Sequence, residues 1–130
     1  MAYELSKEKK ETEAWVLLVD DDRSLAPMLE RFFSLYGVEL VSALGPEEAA
    51  SILRSRQPSL CLVDLNLCTN IDGFTVLRGL RKKFGKGLSL IAVSGSTGTQ
   101  AVRRALESGA DDFLAKPLDP GELKGKLGRY

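Results

Sequence analysis

Five short apolar runs, each followed by a stretch of helical spacing, constrain this chain more than anything else in it. Trp15-Val16-Leu17-Leu18-Val19 leads into Asp20, Leu60 to Val63 into Asp64, Leu88 to Val93 into Ser94, and Phe113-Leu114-Ala115 into Lys116. Val38 to Leu44 is the fifth run. Such runs have the length of strands rather than of buried helices. Between them, apolar residues recur at helical intervals: Leu25, Met28, Leu29, Phe32, Phe33 and Tyr36, then Ala49, Ala50 and Leu53. The pattern continues with Phe74, Leu77, Leu80 and Phe84, with Ala101, Val102, Ala105 and Leu106, and with Leu123, Leu127 and Tyr130. Near-continuous apolar strands imply helices on both faces, and strict alternation implies a parallel sheet with right-handed crossovers.

The punctuation agrees. Ser24 is placed to cap the first helix, with Pro27 in its first turn and Gly37 as its stop. Pro46 suits the first position of the second helix. Gly109 is the expected stop of the fourth, and Asp119-Pro120-Gly121-Glu122 reads as a capping box with a leading proline. Gly121, Gly125 and Gly128 weaken that last helix by about 1 kcal/mol each relative to alanine. The chain of 130 residues is read as one domain over residues 15–130, preceded by a charged flexible leader over residues 1–14.

What is missing narrows the chemistry. The chain has no histidine, so it builds no His-based triad, His general base or His-ligated zinc site. Its two cysteines, Cys61 and Cys68, cannot complete a four-cysteine metal site and make a poor disulfide framework, which favours a reducing compartment. Zero net charge gives no bulk attraction to nucleic acid, and no direct nucleic-acid binding is expected. No apolar run approaches the ~20 residues of a membrane span, and residues 4–13 are too charged for a signal peptide. The expectation is a cytoplasmic protein without membrane attachment.

In an open α/β sheet the carboxyl ends of the strands carry the site. Here those ends hold Asp20-Asp21-Asp22, Asp64, Ser94-Gly95-Ser96 and Lys116-Pro117. Crowded carboxylates repel unless a proton or cation joins them. A ligand set made only of oxygen favours a hard ion such as Mg²⁺, which takes a few carboxylates plus water and phosphate. A carboxylate beside such an ion can act as a nucleophile toward phosphorus, with a lysine and a hydroxyl stabilising the phosphoryl oxygens. Taken singly each piece is ordinary: aspartates cap helices, Ser-Gly-Ser fills loops, and Lys-Pro makes turns. Their combination, in order, at four of five strand ends points to phosphoryl transfer onto an aspartate.

The pieces VLLVDDD (16–22), LVDLNL (62–67), DGF (72–74), IAVSGS (91–96) and GADDFLAKPLDPGEL (109–123) resemble the response-regulator receiver domain of two-component signalling, in its chemotaxis-regulator-like form. The resemblance covers Trp15 to about Tyr130. It implies a flavodoxin-like (βα)5 fold, doubly wound, with a five-stranded parallel sheet in the order 2-1-3-4-5. It implies a signalling phosphoacceptor rather than an enzyme that turns over a substrate. Asp64 matches the phosphoacceptor, supplied by a sensor histidine kinase or phosphotransfer protein whose phosphohistidine provides the imidazole this chain lacks. Asp20, Asp21 and Asp64 match the Mg²⁺-binding acids, with the backbone carbonyl of Asn66 as a further ligand. Ser94 matches the switch hydroxyl, Lys116 the phosphoryl-pairing lysine and Phe113 the switch aromatic, and the bond before Pro117 would be cis. Gly95 would leave the phosphoryl site accessible, and Asn66 and Ser96 match positions that tune dephosphorylation.

One stretch departs from the family. Cys68 stands where a proline is usual, and Asp72-Gly73 lies one residue further from the acceptor, so the loop 65–73 is longer and lacks its rigid residue. That bears on metal affinity, phospho-aspartate lifetime and partner choice. The family's usual output surface, helix four, strand five and helix five, here carries Arg103, Arg104, Asp111, Asp112, Asp119, Glu122 and Lys124, mixed signs that suit a homodimer. Two other readings stay open at this stage. One is a degenerate receiver used only as a protein-interaction module. The other is a haloacid-dehalogenase-like phosphatase with Asp20 as nucleophile, which leaves Asp64 unexplained.

Overall fold

The computed structural model describes residues 14–67, 71–95 and 98–127. The leader, Cys68, Ser96 and Tyr130 fall outside these, apart from Ala14. Five strands alternate with five helices: β1 (Trp15–Val19), α1 (Ala26–Ser34), β2 (Glu39–Ala43), α2 (Pro46–Leu53) and β3 (Leu60–Asp64), then α3 (Gly73–Phe84), β4 (Ser89–Ser94), α4 (Thr99–Glu107), β5 (Asp112–Ala115) and α5 (Pro120–Leu127). A 3-10 turn over Gly85–Gly87 joins α3 to β4. All pairings are parallel and the strand order is β2-β1-β3-β4-β5. This is the flavodoxin-like (βα)5 arrangement that the apolar runs and the resemblance predict.

The pleat sorts the core into two layers. Alternate residues of a strand face opposite sides. Leu17, Val19, Cys61, Val63, Leu90 and Ala92 pack with Ala49 and Leu53 of α2, Leu77 of α3 and Ala105 of α4. Val16, Leu18, Leu62, Ile91 and Val93 pack with Leu29 and Phe33 of α1 and with Leu123 and Leu127 of α5. The central strands are therefore buried on both faces, which is why β1, β3 and β4 read as unbroken apolar runs. The edge strand β2 is largely half-exposed and carries polar residues accordingly. Cys61 is a fully buried core residue whose thiol pKa is raised by burial, as a small hydrophobe in a strand should be.

Helix ends follow the expected chemistry with one correction. Pro46 opens α2 at its first position, and Asp119 accepts from Glu122 N at 3.0 Å to cap α5. Gly37 and Gly109 take positive φ (71° and 113°), the left-handed turn that ends a helix with least cost in glycine. Ser24 does not cap α1: the N-cap is Leu25, without a side-chain bond. Asp22 instead accepts from Ser24 N at 2.9 Å and shapes the turn before the helix. The Ser24 side chain also donates to Asp22, so its hydroxyl is engaged in that turn and not at the helix end.

At the amino end of the sheet, Arg81 of α3 acts as a staple. Its guanidinium donates to the carbonyls of Gly109, Gly85 and Leu88 and pairs with Asp111 at 2.9 Å. That leaves the opposite, carboxyl edge for the site.

Candidate functional site

Strand register assembles the site. Val19 is level with Val63, so the next residues, Asp20 and Asp64, stand side by side where two neighbouring strands end. Ser94 is level with Ala115, so Lys116 follows one step beyond it. The bond from Lys116 to Pro117 is cis, as the resemblance implies. The pleat then divides these side chains. Asp20, Asp64 and Lys116 share the alternation of Leu18, Leu62 and Leu114, toward the α1/α5 layer. Ser94 shares that of Ala92, toward the α2/α3/α4 layer.

Charge dominates the first group. Lys116 Nζ lies 3.4 Å from Asp64 Oδ2 and 3.5 Å from Asp20 Oδ2. Asp20 and Asp64 are buried, and Lys116 is a quarter exposed. Burial first, and then the neighbouring Asp64 charge, push the Asp20 carboxyl up to about 6, although Asp22 N donates to Asp20 Oδ1 at 2.9 Å. Burial alone would lower the Lys116 pKa, but the charges of Asp64 and Asp20 outweigh it and the net shift is upward. Asp64 Oδ1 accepts from Asn66 N at 3.1 Å, which orients the carboxylate.

Asp20, Asp21 and Asp64 each offer an oxygen, and the three atoms lie within 4.8 Å of one another. Three carboxylates gather here with one nearby ammonium, so negative charge is in excess, and the Asp64 charge adds to burial in raising the Asp20 pKa. The donors are all oxygen. This set fits a hard divalent cation such as Mg²⁺. Asp22, the third of the consecutive aspartates, belongs to the turn before α1 and not to this cluster.

On the other layer, Ser94 is buried and its Oγ lies 3.5 Å from Asn66 Nδ2. Phe113 is level with Ala92, one same-face step below Ser94, and is buried among the α2/α3/α4 core. A cavity of about 300 Å3 opens between Ser94, Asn66, Phe74 and the first turns of α4.

Two features at the start of α3 escape reading from sequence. Asp72 caps the helix, accepting from Thr75 N at 2.9 Å and Thr75 Oγ1 at 3.0 Å, and Gly73 packs directly on the main chain of Asp64 and Leu65. Above them Arg104 of α4 stacks on Phe74, 3.9 Å from the ring centroid, and approaches Asp72 at 4.0 Å. The motif Asp-Gly-Phe flagged the position, but only the fold supplies the arginine, thirty residues on. Of the charges expected on the α4–β5–α5 face, several are engaged within the chain. Arg104 turns to Phe74, Asp111 holds Arg81, Asp112 takes Lys126 at 3.2 Å and Asp119 caps α5. Arg103, Glu122 and Lys124 are exposed.

A doubly wound sheet whose carboxyl edge gathers three aspartates, a lysine and a buried serine defines a phosphoryl-accepting class of α/β protein. Residues 16–128 match the response regulator receiver domain family, and the chain belongs to that family. It is 36% identical over 112 residues to the DNA-binding response regulator MtrA of Mycobacterium leprae (strain TN), covering 86% of this chain and 48% of that protein. It is 33% identical over 112 residues to "Probable transcriptional regulator ycf27" of Porphyridium aerugineum, covering 86% of this chain and 45% of that protein. The chain thus spans about half the length of the curated relatives it matches. Among solved structures it resembles a two-component response regulator of Clostridium difficile (TM-score 0.82, 26% identity, 89% of this chain and 93% of that one). It also resembles a CheY-like receiver domain protein of Methanospirillum hungatei JF-1 (TM-score 0.79, 25% identity, 89% and 91%). Among the described residues no helix is long and apolar enough to cross a membrane.

Proposed function

We propose that this receiver domain, spanning residues 15–130 behind the leader 1–14, takes a phosphoryl group onto Asp64 from the phosphohistidine of a sensor histidine kinase or phosphotransfer protein. An Asp64 carboxylate oxygen attacks phosphorus, the P–N bond breaks, and the imidazole leaves with its electron pair and takes up a proton. The product is an acyl phosphate. The observation that carries this reading is the buried Asp64 carboxylate, placed beside Asp20 and Asp21 and within 3.4 Å of Lys116.

Asp20, Asp21, Asp64 and the main-chain carbonyl of Asn66 would hold Mg²⁺. When bound there, it neutralises charge on the phosphoryl oxygens. Lys116 already bridges Asp20 and Asp64, and it would move its positive end onto the phosphoryl group as that group adds charge to Asp64. Ser94 Oγ would donate to a phosphoryl oxygen, giving up its contact with Asn66. Phe113, one same-face step below Ser94, is the aromatic whose packing would respond. Such a domain changes state once per phosphorylation and is not an enzyme in the usual sense. Leu106, 46% exposed on α4 near Val102 and Arg103, supports the α4–β5–α5 face as a self-association surface.

The test is incubation with Mg²⁺ and a small phosphodonor. Wild type should label one residue, and Asp64→Asn should not label. Equal labelling of both proteins would overturn the assignment. Failure of wild type to bind Mg²⁺ at millimolar concentration would favour the degenerate receiver instead. Retained turnover of a phosphate monoester in Asp64→Asn, lost in Asp20→Asn, would favour the phosphatase.

A further inference from the structure

Helix α4 is weakly anchored. Of its nine residues only Ala105 is buried, and Ala101 and Val102 are half-buried. Two arginines fasten it to α3 instead, one from within its second half and one just past its end. Arg104 reaches from α4 to the start of α3, stacking on Phe74 at 3.9 Å and approaching Asp72 Oδ2 at 4.0 Å. Arg78 reaches the other way, from Thr75 Oγ1 at 3.2 Å to the Ser108 hydroxyl at 3.4 Å, just past the end of α4. The two ties differ in what lies beneath them. Under Arg104 is the cavity of about 300 Å3 that Ser94, Asn66 and Gln100 also line. Arg78 lines no part of it.

Among the described residues, the cavity leaves room for the first turns of α4 to move toward Ser94, and Arg104 forms one wall of that space. Guanidinium stacking holds only one geometry, because the plane must lie over the ring. The Asp72 carboxylate that Arg104 approaches is itself fixed by two bonds to Thr75. The stack therefore rests on a rigid base, the capped first turn of α3, whose first residue Gly73 packs on the Asp64 main chain.

We propose that Arg104 is a positioning residue that holds α4 against the start of α3, beside the Ser94 cavity, and so slows the rearrangement that accompanies phosphorylation of Asp64. This rests on the phosphoacceptor reading given above. Arg104 touches neither Asp64 nor the phosphoryl position. It acts through α4 and Phe74.

The experiment uses the 130-residue chain as wild type, Arg104→Ala, Arg104→Lys and Arg78→Ala. Each is treated with Mg²⁺ and phosphoramidate while the labelling rate is followed, and amide hydrogen exchange of residues 99–107 is read without phosphodonor. Arg104→Ala should label about threefold to tenfold faster than wild type, with faster exchange along α4. Arg104→Lys keeps the charge but not the planar stack, and should fall between. Arg78→Ala loosens the far end of α4 and should label within about twofold of wild type. An unchanged rate in Arg104→Ala, or equal acceleration in Arg78→Ala, overturns the proposal. If wild type fails to label, the Asp64 reading falls separately. The exchange measurement then decides whether Arg104 holds α4, and unchanged exchange in Arg104→Ala refutes it.

Discussion

Gly73 rests directly on Asp64: a methyl group added at Gly73 would overlap the Asp64 carbonyl oxygen and the Leu65 Cα. The helix that follows the acceptor strand thus begins against the acceptor's own main chain, with Gly73 N also approaching Leu65 O at 3.4 Å. Gly73→Ala must push α3 away or shift Asp64, at a cost of about 1–3 kcal/mol. Gly79, in the same helix with open space around it, is the control. Gly79→Ala should stabilise by about 0.5–1 kcal/mol. Denaturant titration of both variants checks the pair, and only Gly73→Ala should also impair labelling of Asp64.

Lys116 would compete with a bound metal for the same oxygens. Its Nζ lies 3.4 and 3.5 Å from carboxylates of two proposed ligands, so Lys116→Met removes a cation that repels Mg²⁺. We expect Mg²⁺ to bind about threefold to thirtyfold more tightly in the variant, read by calorimetric titration. Phosphorylation should fall at the same time, because the phosphoryl group loses its partner.

The metal-free protein bears the cost of its clustered acids. Asp20→Asn removes one of two adjacent buried charges at the end of β1 while keeping an acceptor for Asp22 N. It should stabilise the metal-free fold by about 1–3 kcal/mol and abolish Mg²⁺-dependent stabilisation. Thermal unfolding with and without Mg²⁺ reads both effects.

Asp72 caps α3, and the bond from Thr75 N holds its carboxyl below the usual carboxylate range. A folded-state pKa below the unfolded one gives stability that is present above the unfolded value and is lost as pH falls through the folded one. Asp72→Ala should therefore cost about 1 kcal/mol at pH 7. The gap from wild type should narrow as pH falls below the ordinary aspartate range, and unfolding curves at pH 7 and at acid pH measure it.

Arg81 is expected to matter for stability alone. Its guanidinium serves the carbonyls of Gly109, Gly85 and Leu88 at the sheet edge opposite the acids. Arg81→Ala leaves those carbonyls short of donors and should cost about 2–4 kcal/mol, with labelling of Asp64 unchanged in the fraction that remains folded.

Most of this architecture was legible in the chain because its signals are local. A strand buried on both faces must be apolar throughout, so β1, β3 and β4 announce themselves, and the polar residue that ends each run marks the site edge. Pro46, Gly37, Gly109 and Asp119 act on their immediate neighbours and sit where expected. What sequence did not yield depends on distant partners or on competition. Ser24 looked like a cap, but both its amide and its hydroxyl bond Asp22. Arg104 looked like an output-face charge, and only the packing of α4 on α3 places it over Phe74. Gly73 sat inside a recognisable motif, yet its reason for being glycine is a contact with a strand nine residues earlier.

The strand pleat that sends Asp64 and Lys116 to one layer and Ser94 and Phe113 to the other has a consequence for how such a chain can diverge. The acids and the lysine lie toward the layer of α1 and α5, and the serine and the aromatic toward that of α2, α3 and α4, and the two sets meet at the strand ends. Substitutions on the outer surface of α4 leave the carboxylates and lysine undisturbed. A gene duplicate could therefore change its audience without relearning its chemistry.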